Sequence, residues 1–373
     1  MPLLLALLAL AQDPAAIDRA VRDGIGAGVF PGAVVVIGTA DTVLYAQGYG
    51  HFTWSDQTPV PHPDSTLFDL ASVTKVVATT TAAMLLVDRG TLALPAPVSS
   101  YLPGFLGAGK DAVTVRHLLE HRSGLRAFLR LDTLARDAAQ ARQLVLAEPL
   151  RWPAGTHVEY SDLNAMLLSW VIEAVAGTSL DSFVTREILE PLGMRDARFR
   201  PPRALRARIM PVGRWRGHAI AGELHDQNAV RLGGVSGHAG LYATGSDLAR
   251  FAQFMLRRGR TVSGQQLVRG GVVDAFVRRG PGHRALGWEM RDTTGSDNTG
   301  RLLSSATYGH TGFTGTSLWI DPERDVFVVL LTNRVFAPRA GRSISRLKVV
   351  RGEVADAAAR LRCGVGAAAT AAC

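Results

Sequence analysis

Apolar and polar positions follow two different rhythms along the chain. Near both ends the apolar residues come in short β-branched runs. "GAVVVIGT" (32–39) and "TVLYAQGYG" (42–50) flank Ala40-Asp41 and predict a hairpin. "RALGWEMR" (284–291), "GTSLWIDP" (315–322) and "DVFVVLLTN" (325–333) predict an antiparallel meander that turns at Pro322-Glu323-Arg324. In between, apolar residues recur at helical spacing over 114–121, 132–147, 162–175, 180–189, 246–257 and 264–278. Further helices are predicted at 14–23, closed by Gly24, Gly26 and Gly28, and at 340–361. The fold expected is therefore α+β: an antiparallel sheet flanked by N- and C-terminal helices, with helices inserted between its two halves. The expected organisation is a sandwich from 12–70 and 284–362, a mainly helical domain over 71–283, and a disordered tail at 363–373.

One helical stretch breaks the apolar pattern. "LASVTKVVAT" (70–79) opens a helix predicted from about Ser72 to Asp88 and stopped by Gly90, and it sets a hydroxyl and an amine into an apolar run. Ser72 and Lys75 are three apart and share a helix face. A serine alcohol becomes a nucleophile when a neighbour takes its proton, and a desolvated lysine has the lowered pKa needed to do so. Against this stands a plain reading as a helix cap with a snorkelling lysine. Lysine is scarce here: Lys75, Lys110 and Lys348 are the lysines among 41 basic residues.

Charge and composition narrow the function classes. The formal net charge is +9, but arginines are scattered singly, without a dense basic block or interleaved aromatics, so no nucleic-acid partner is expected. The run from Leu3 to Ala11 ends in Ala9-Leu10-Ala11 and reads as a secretory leader over 1–11, though without a basic segment before it; export to the periplasm or outside is expected. No stretch reaches 18 apolar residues, so no transmembrane segment is expected. Cys363 and Cys373 lie in the tail without a CxxC partner or nearby histidines, and neither a metal nor an organic cofactor is expected.

Two later stretches supply partners for Ser72. In "VEYSDLNAML" (158–167), Tyr160 precedes a helix that Ser161 or Asp162 would cap, and its phenol would serve as a second base if cations lowered its pKa. In "YGHTGFTG" (308–315), His310, Thr311 and Gly312 stand at the entrance to a strand. There Gly312 admits close approach, and the N–H of Phe313, with that of Ser72, would hold a developing oxyanion.

With these three elements in order, the chain resembles the serine hydrolases of the class C β-lactamase, D,D-peptidase and family VIII carboxylesterase group. Ser72-Val73-Thr74-Lys75 matches the group's Ser-x-x-Lys. Tyr160-Ser161-Asp162 is similar to its Tyr-x-Asn, with Asp162 in the Asn place. His310-Thr311-Gly312 is similar to its Lys-Thr-Gly, in the His-x-Gly form of some members. "HLLEHRSGL" (117–125), "GVSGHAGLYATGSDLARF" (234–251) and "HTGFTGTSLWIDPERDVFVVLLTNR" (310–334) extend the likeness over about 15–335. The resemblance implies a β-lactamase/transpeptidase-like fold with the site in the cleft between a sandwich and a helical domain. It also implies two-step acyl transfer: Ser72 attacks, Lys75 with Tyr160 moves protons, and Asp162, His310, Thr311 and Gly312 bind substrate. The substrate is a small ester, amide or peptide, with a cell-wall origin in view. His310 offers a charge only when protonated, and Asp162 can only accept hydrogen bonds, so esterase-like or D-amino-acid peptidase activity is expected ahead of true β-lactamase activity. A non-catalytic penicillin-binding or sensor module is the alternative of a different class.

Other chemistry-bearing residues are assigned lesser parts. His225, Asp226 and Asn228 in "LHDQNA" are read as a hydrogen-bonded loop near the cleft, with a role in substrate binding as the other reading. Ser296-Asp297-Asn298 is read as a surface turn, and His121 and Ser123 as a helix terminus.

Overall fold

The computed structural model describes residues 14–215, 218–294 and 297–365. The expected leader at 1–11 and the chain beyond 365, with Cys373, lie outside the described residues.

The β-branched runs pair into one antiparallel sheet. Its strands are β1 (Gly32–Gly38), β2 (Val43–Gly50), β8 (Glu289–Met290), β9 (Tyr308–Thr311), β10 (Ser317–Asp321) and β11 (Val326–Thr332), in the order β2-β1-β11-β10-β9-β8. The chain's two ends meet where β1 pairs with β11, Val36 opposite Val329. Successive β1 residues alternate between two cores. Val35 and Ile37 pack with Ile17, Val21, Val350 and Val354, whereas Val34 and Val36 pack with Leu318, Val329 and the helical lobe. Burial on both faces explains a strand with no polar alternation. Helices α1 (Pro14–Gly26) and α11 (Ser343–Val365) cover the first face. The tail expected from 363 thus begins inside a helix.

Between the sheet halves run α2 (Thr81–Asp88), α3 (Val115–Leu119), α4 (Leu131–Leu134), α5 (Ala138–Ala147), α6 (Asp162–Ala176), α7 (Leu180–Val184), α8 (Gln227–Arg231), α9 (Gly245–Leu256) and α10 (Gly270–Val277). The helix expected over 132–147 breaks because Asp137 turns extended and its carboxylate caps α5, accepting from the N–H of Gln140 at 2.8 Å. Two small sheets did not show in the apolar pattern: β3 (Phe68–Asp69), β4 (Arg198–Phe199) and β7 (Leu241–Ala243), ordered β3-β7-β4, and a hairpin of β5 (Gly213–Trp215) and β6 (His218–Ile220). Strands of two or three residues carry too few positions for a period of two to register.

The helix that holds Ser72 runs from Ala71 to Asp88. It is long and apolar enough to cross a membrane, but 83% of it is buried inside the fold, as befits a core helix.

Candidate active site

Ser72 sits on a sharp turn where β3 feeds the central helix. Ala71, one residue earlier, has φ +47, a left-handed conformation that costs an L-residue about 1–3 kcal/mol. The Asp69 carboxylate holds this turn. One oxygen accepts from the N–H of Ala71 at 2.9 Å, and the other from the N–H of His225 at 3.0 Å. Burial pushes the Asp69 carboxyl up to about 6, against the pull of those two N–H groups. The helix then passes from a 3₁₀ turn (Ala71–Val73) through a π-helical stretch (Lys75–Thr80) into α2. A π segment of this kind shifts the register of the side chains that follow it.

Lys75 is 3% exposed, and its Nζ donates to the Ser72 hydroxyl at 2.9 Å and to the His238 carbonyl at 3.0 Å. It also lies 2.7 Å from the Asp162 carboxylate. Desolvation favours the neutral amine, but the Asp162 carboxylate opposes it and holds the Lys75 pKa above the ordinary lysine value. That direction favours the ammonium over the neutral amine that its apolar flanks suggested. The Tyr160 ring lies 5.0 Å from the Lys75 nitrogen, and burial raises its pKa despite the pull of Lys75. Its phenol is therefore protonated too, contrary to the expectation that cations would lower it. Ser161 occupies the N-cap of α6 without capping it, since its hydroxyl donates instead to the Arg126 carbonyl at 2.6 Å. That leaves Asp162 in the first turn, turned to Lys75.

Asp162, Asp226 and His238 bring their ligand atoms within 4.8 Å of one another. The cation beside them is the ammonium of Lys75 itself. His238 Nε2 lies 3.0 Å from Asp226, which keeps the Asp226 carboxyl well below the usual range against its burial.

The third element closes over Ser72 from the edge of β9. Thr314 donates to the Asp69 carbonyl at 2.8 Å and Thr316 to the Leu70 carbonyl at 2.9 Å, so the loop after β9 is tied to the Ser72 turn. A β-carbon at Gly312 would overlap the Thr316 hydroxyl and stand 2.5 Å from the Leu70 carbonyl oxygen. The close approach that needs a glycine is real. His310 is 2% exposed, its Nδ1 lies 2.8 Å from the Thr311 carbonyl, and its ring is 5.7 Å from that of Tyr160. Burial, with Lys75 and Arg284 nearby, pulls its pKa well below the usual imidazole value. His310 is a neutral ring, not a conditional cation.

A permanent cation is present nonetheless. A cavity of about 350 Å³ beside Ser72, Tyr160 and His310 is lined by Arg284, Arg334, Lys348 and Arg351. Glu289 is the one carboxylate among its described lining residues. The Arg284 guanidinium lies 5.0 Å over the Tyr160 ring, and its Nη1 is buried without a hydrogen-bond partner among the described residues. Asn298 is buried here, accepting from Arg351 at 3.2 Å, so the turn expected at the surface lies at the cavity wall; Ser296 lies outside the described residues.

A second cavity of about 440 Å³ borders the other side of Ser72, with Phe128, Asp162, His225, Asp226, Asn228 and Phe313 among its lining residues. The 225–228 loop thus faces the cleft. Asn228 donates to the Leu129 carbonyl at 2.7 Å, and Asp226 caps α8 by accepting from the N–H of Ala229 at 2.8 Å. His121 and Ser123 do more than end a helix: the His121 ring lies tilted against Tyr160 with centroids 4.8 Å apart, its Nδ1 accepts from the N–H of Ser161 at 3.1 Å, and Ser123 donates to Asn164.

The model of the family described as Beta-lactamase matches residues 17–351. The chain is 32% identical over 359 residues to a Bacillus subtilis protein named N-acetylmuramyl-L-alanine amidase, covering 86% of this chain and 81% of that one. It is 30% identical over 360 residues to an Escherichia coli protein named as a D-alanyl-D-alanine carboxypeptidase, covering 87% and 82%. Its fold is similar to that of EstCE1, a hydrolase with promiscuous acyltransferase activity, with a TM-score of 0.73, 21% identity and coverage of 91% and 98%.

Proposed function

The chain belongs to the β-lactamase family and is a serine hydrolase, and from that premise we propose that Ser72 is its acylated nucleophile and that its substrate is a peptide or peptide-like amide carrying a carboxylate on the leaving side. The observation that carries the first part is the buried Lys75 ammonium, 2.9 Å from the Ser72 hydroxyl and 2.7 Å from Asp162. Asp162 and Lys75 share a proton across that contact. When it moves to Asp162, the freed amine takes the Ser72 proton as the hydroxyl attacks. Tyr160, beside Lys75 and in the same cavity as Ser72, passes a proton to the leaving amine. The N–H groups of Ser72 and Phe313 are the oxyanion donors, on segments joined by Thr314 and Thr316.

The cationic cavity supports the substrate assignment. Arg284 with a buried unpartnered Nη1 and Lys348 at the rim suit a carboxylate. Of the esterase-like and D-amino-acid peptidase activities expected ahead of β-lactamase, the fixed charge, which comes from a different segment than His310, favours the peptidase. Both named relatives are amide hydrolases by name, and cell-wall peptides fit the cavity's charge. A β-lactam also bears a carboxylate, and is the second reading. A cell-wall substrate goes with export, which the apolar run at 3–11 supports.

The test is a side-by-side assay of a D-Ala-D-Ala peptide, an N-acetylmuramyl-L-alanine amide, nitrocefin and p-nitrophenyl acetate, with Ser72→Ala as the control. The proposal expects the highest kcat/KM on one of the two amides and none with Ser72→Ala. Highest activity on the uncharged ester contradicts the substrate assignment.

A further inference from the structure

We propose that Asp226 reads the acyl half of the substrate, its carboxylate binding an ammonium group carried there on an apolar stem. The proposal rests on the acyl-enzyme reading above and adds the half of the substrate that stays on Ser72.

Ser72, Tyr160 and Phe313 line both cavities of the cleft, so a substrate seated on the serine extends into one on each side. The two cavities differ in charge. The first sets Arg284, Arg334, Lys348 and Arg351 against Glu289. The second sets Asp132, Asp162 and Asp226 against Arg130. With a leaving-side carboxylate in the first, the acyl half takes the second.

Two of these three carboxylates are already matched. Arg130 donates to both oxygens of Asp132, at 3.0 and 3.1 Å. Asp162 faces the Lys75 ammonium at 2.7 Å. Asp226 differs. Its Oδ1 accepts from the N–H of Ala229 at 2.8 Å and lies 3.0 Å from His238 Nε2. Its Oδ2 accepts no hydrogen bond among the described residues, and the side chain is 28% exposed where it lines the cavity. The Ser236 hydroxyl lies 2.7 Å from His238 Nδ1 and can donate there, so a single ring proton, on Nε2, serves both contacts of the imidazole. Burial works to raise the Asp226 pKa, but His238 outweighs it and keeps the carboxyl ionised. An ionised oxygen without a donor, in a cavity that also holds the nucleophile, suits a cationic group on the substrate.

The walls suit a stem rather than a bare ion. Phe128 and Phe313 are both exposed at this cavity. Phe313 is held between the His225 ring at 5.2 Å and the Arg334 guanidinium at 4.8 Å. Large apolar side chains left open beside a nucleophile give a methylene chain a surface to lie on, and their ring faces also attract an ammonium.

The experiment compares kcat/KM for three p-nitrophenyl esters that share one leaving group: ε-aminohexanoate, heptanoate and ε-hydroxyhexanoate. Their acyl chains are of matched length and end in an ammonium, a methyl and a hydroxyl. Wild type should prefer the ammonium ester to each neutral one on the order of 10-fold or more, the worth of a charge-assisted hydrogen bond. Asp226→Asn keeps an oxygen to cap α8, and in it that preference should fall to about one. Labelling of Ser72 by a fluorophosphonate reports that the variant is folded, and the wild-type comparison needs no variant. An ammonium ester that wild type handles no better than either neutral ester overturns the proposal. So does a preference that survives in the labelled Asp226→Asn. Hydrolysis that persists undiminished in Ser72→Ala overturns instead the acyl-enzyme reading beneath it.

Discussion

The Lys75 ammonium lies 2.7 Å from the Asp162 carboxylate, inside the fold and one hydrogen bond from Ser72. The aspartate replaces a neutral amide in the pattern this chain resembles, and it raises the pKa of the lysine it touches. Burial pulls the Lys75 pKa down, and Asp162 opposes it.

Replacing Asp162 with Asn therefore moves the Lys75 pKa down, since the opposite charge that favours the ammonium is gone. The rate of Ser72 labelling by a fluorophosphonate should climb with pH as Lys75 loses its proton, and that climb should begin at lower pH in Asp162→Asn. An unchanged profile in a folded variant would mean that Lys75 does not govern the serine.

Arg284→Gln removes the cation with the buried unpartnered nitrogen. A charge-assisted hydrogen bond is worth about 1.5–3 kcal/mol, so kcat/KM for a carboxylate-bearing peptide should fall roughly 10- to 150-fold relative to p-nitrophenyl acetate. Equal losses on both substrates would place the carboxylate elsewhere.

Gly312→Ala should cost about 10²–10³-fold in kcat with a folded protein, because the β-carbon would push the Phe313 loop off the Leu70 carbonyl and displace an oxyanion donor. Thermal melting and kcat are measured together. Near-normal turnover would show that the loop supplies no donor.

Asp69 gives a pH signature in stability. Its carboxyl is raised to about 6 in the folded chain, against about 3.9 when unfolded. The folded state thus holds a proton that the unfolded chain has released, and this stabilisation is full below pH 4 and lost as pH rises through 6. The difference of about 2 pKa units is about 3 kcal/mol. The stability of wild type relative to Asp69→Asn should fall by up to that amount between pH 4 and pH 7 in denaturant titrations. A pH-independent difference would show that the carboxyl is not desolvated.

The parts of the site that were legible from sequence are those encoded by local spacing. Ser72 and Lys75 meet because three residues make one helical turn, and β1, β2, β10 and β11 follow their β-branched runs. The rest depends on contacts between distant segments. The His238 carbonyl that orients Lys75 has no side-chain signature, and Asp69 acts through two backbone N–H groups. Arg284 is one arginine among many in a chain with three lysines, and only the turn after α10 brings it over Tyr160. Scarcity was a weak guide even for lysine. Lys110 is also buried, donating to the Leu146 carbonyl at 2.6 Å, with no catalytic group beside it.

The central claim is that Ser72 forms the covalent intermediate. Peptide mapping of the chain after brief exposure to a fluorophosphonate and to a fluorescent penicillin tests it most directly. The account predicts one adduct, on Ser72, absent from Ser72→Ala and formed more slowly in Lys75→Arg, whose guanidinium cannot accept the proton. An adduct on another serine, with Ser72→Ala still labelled and still active, would contradict it.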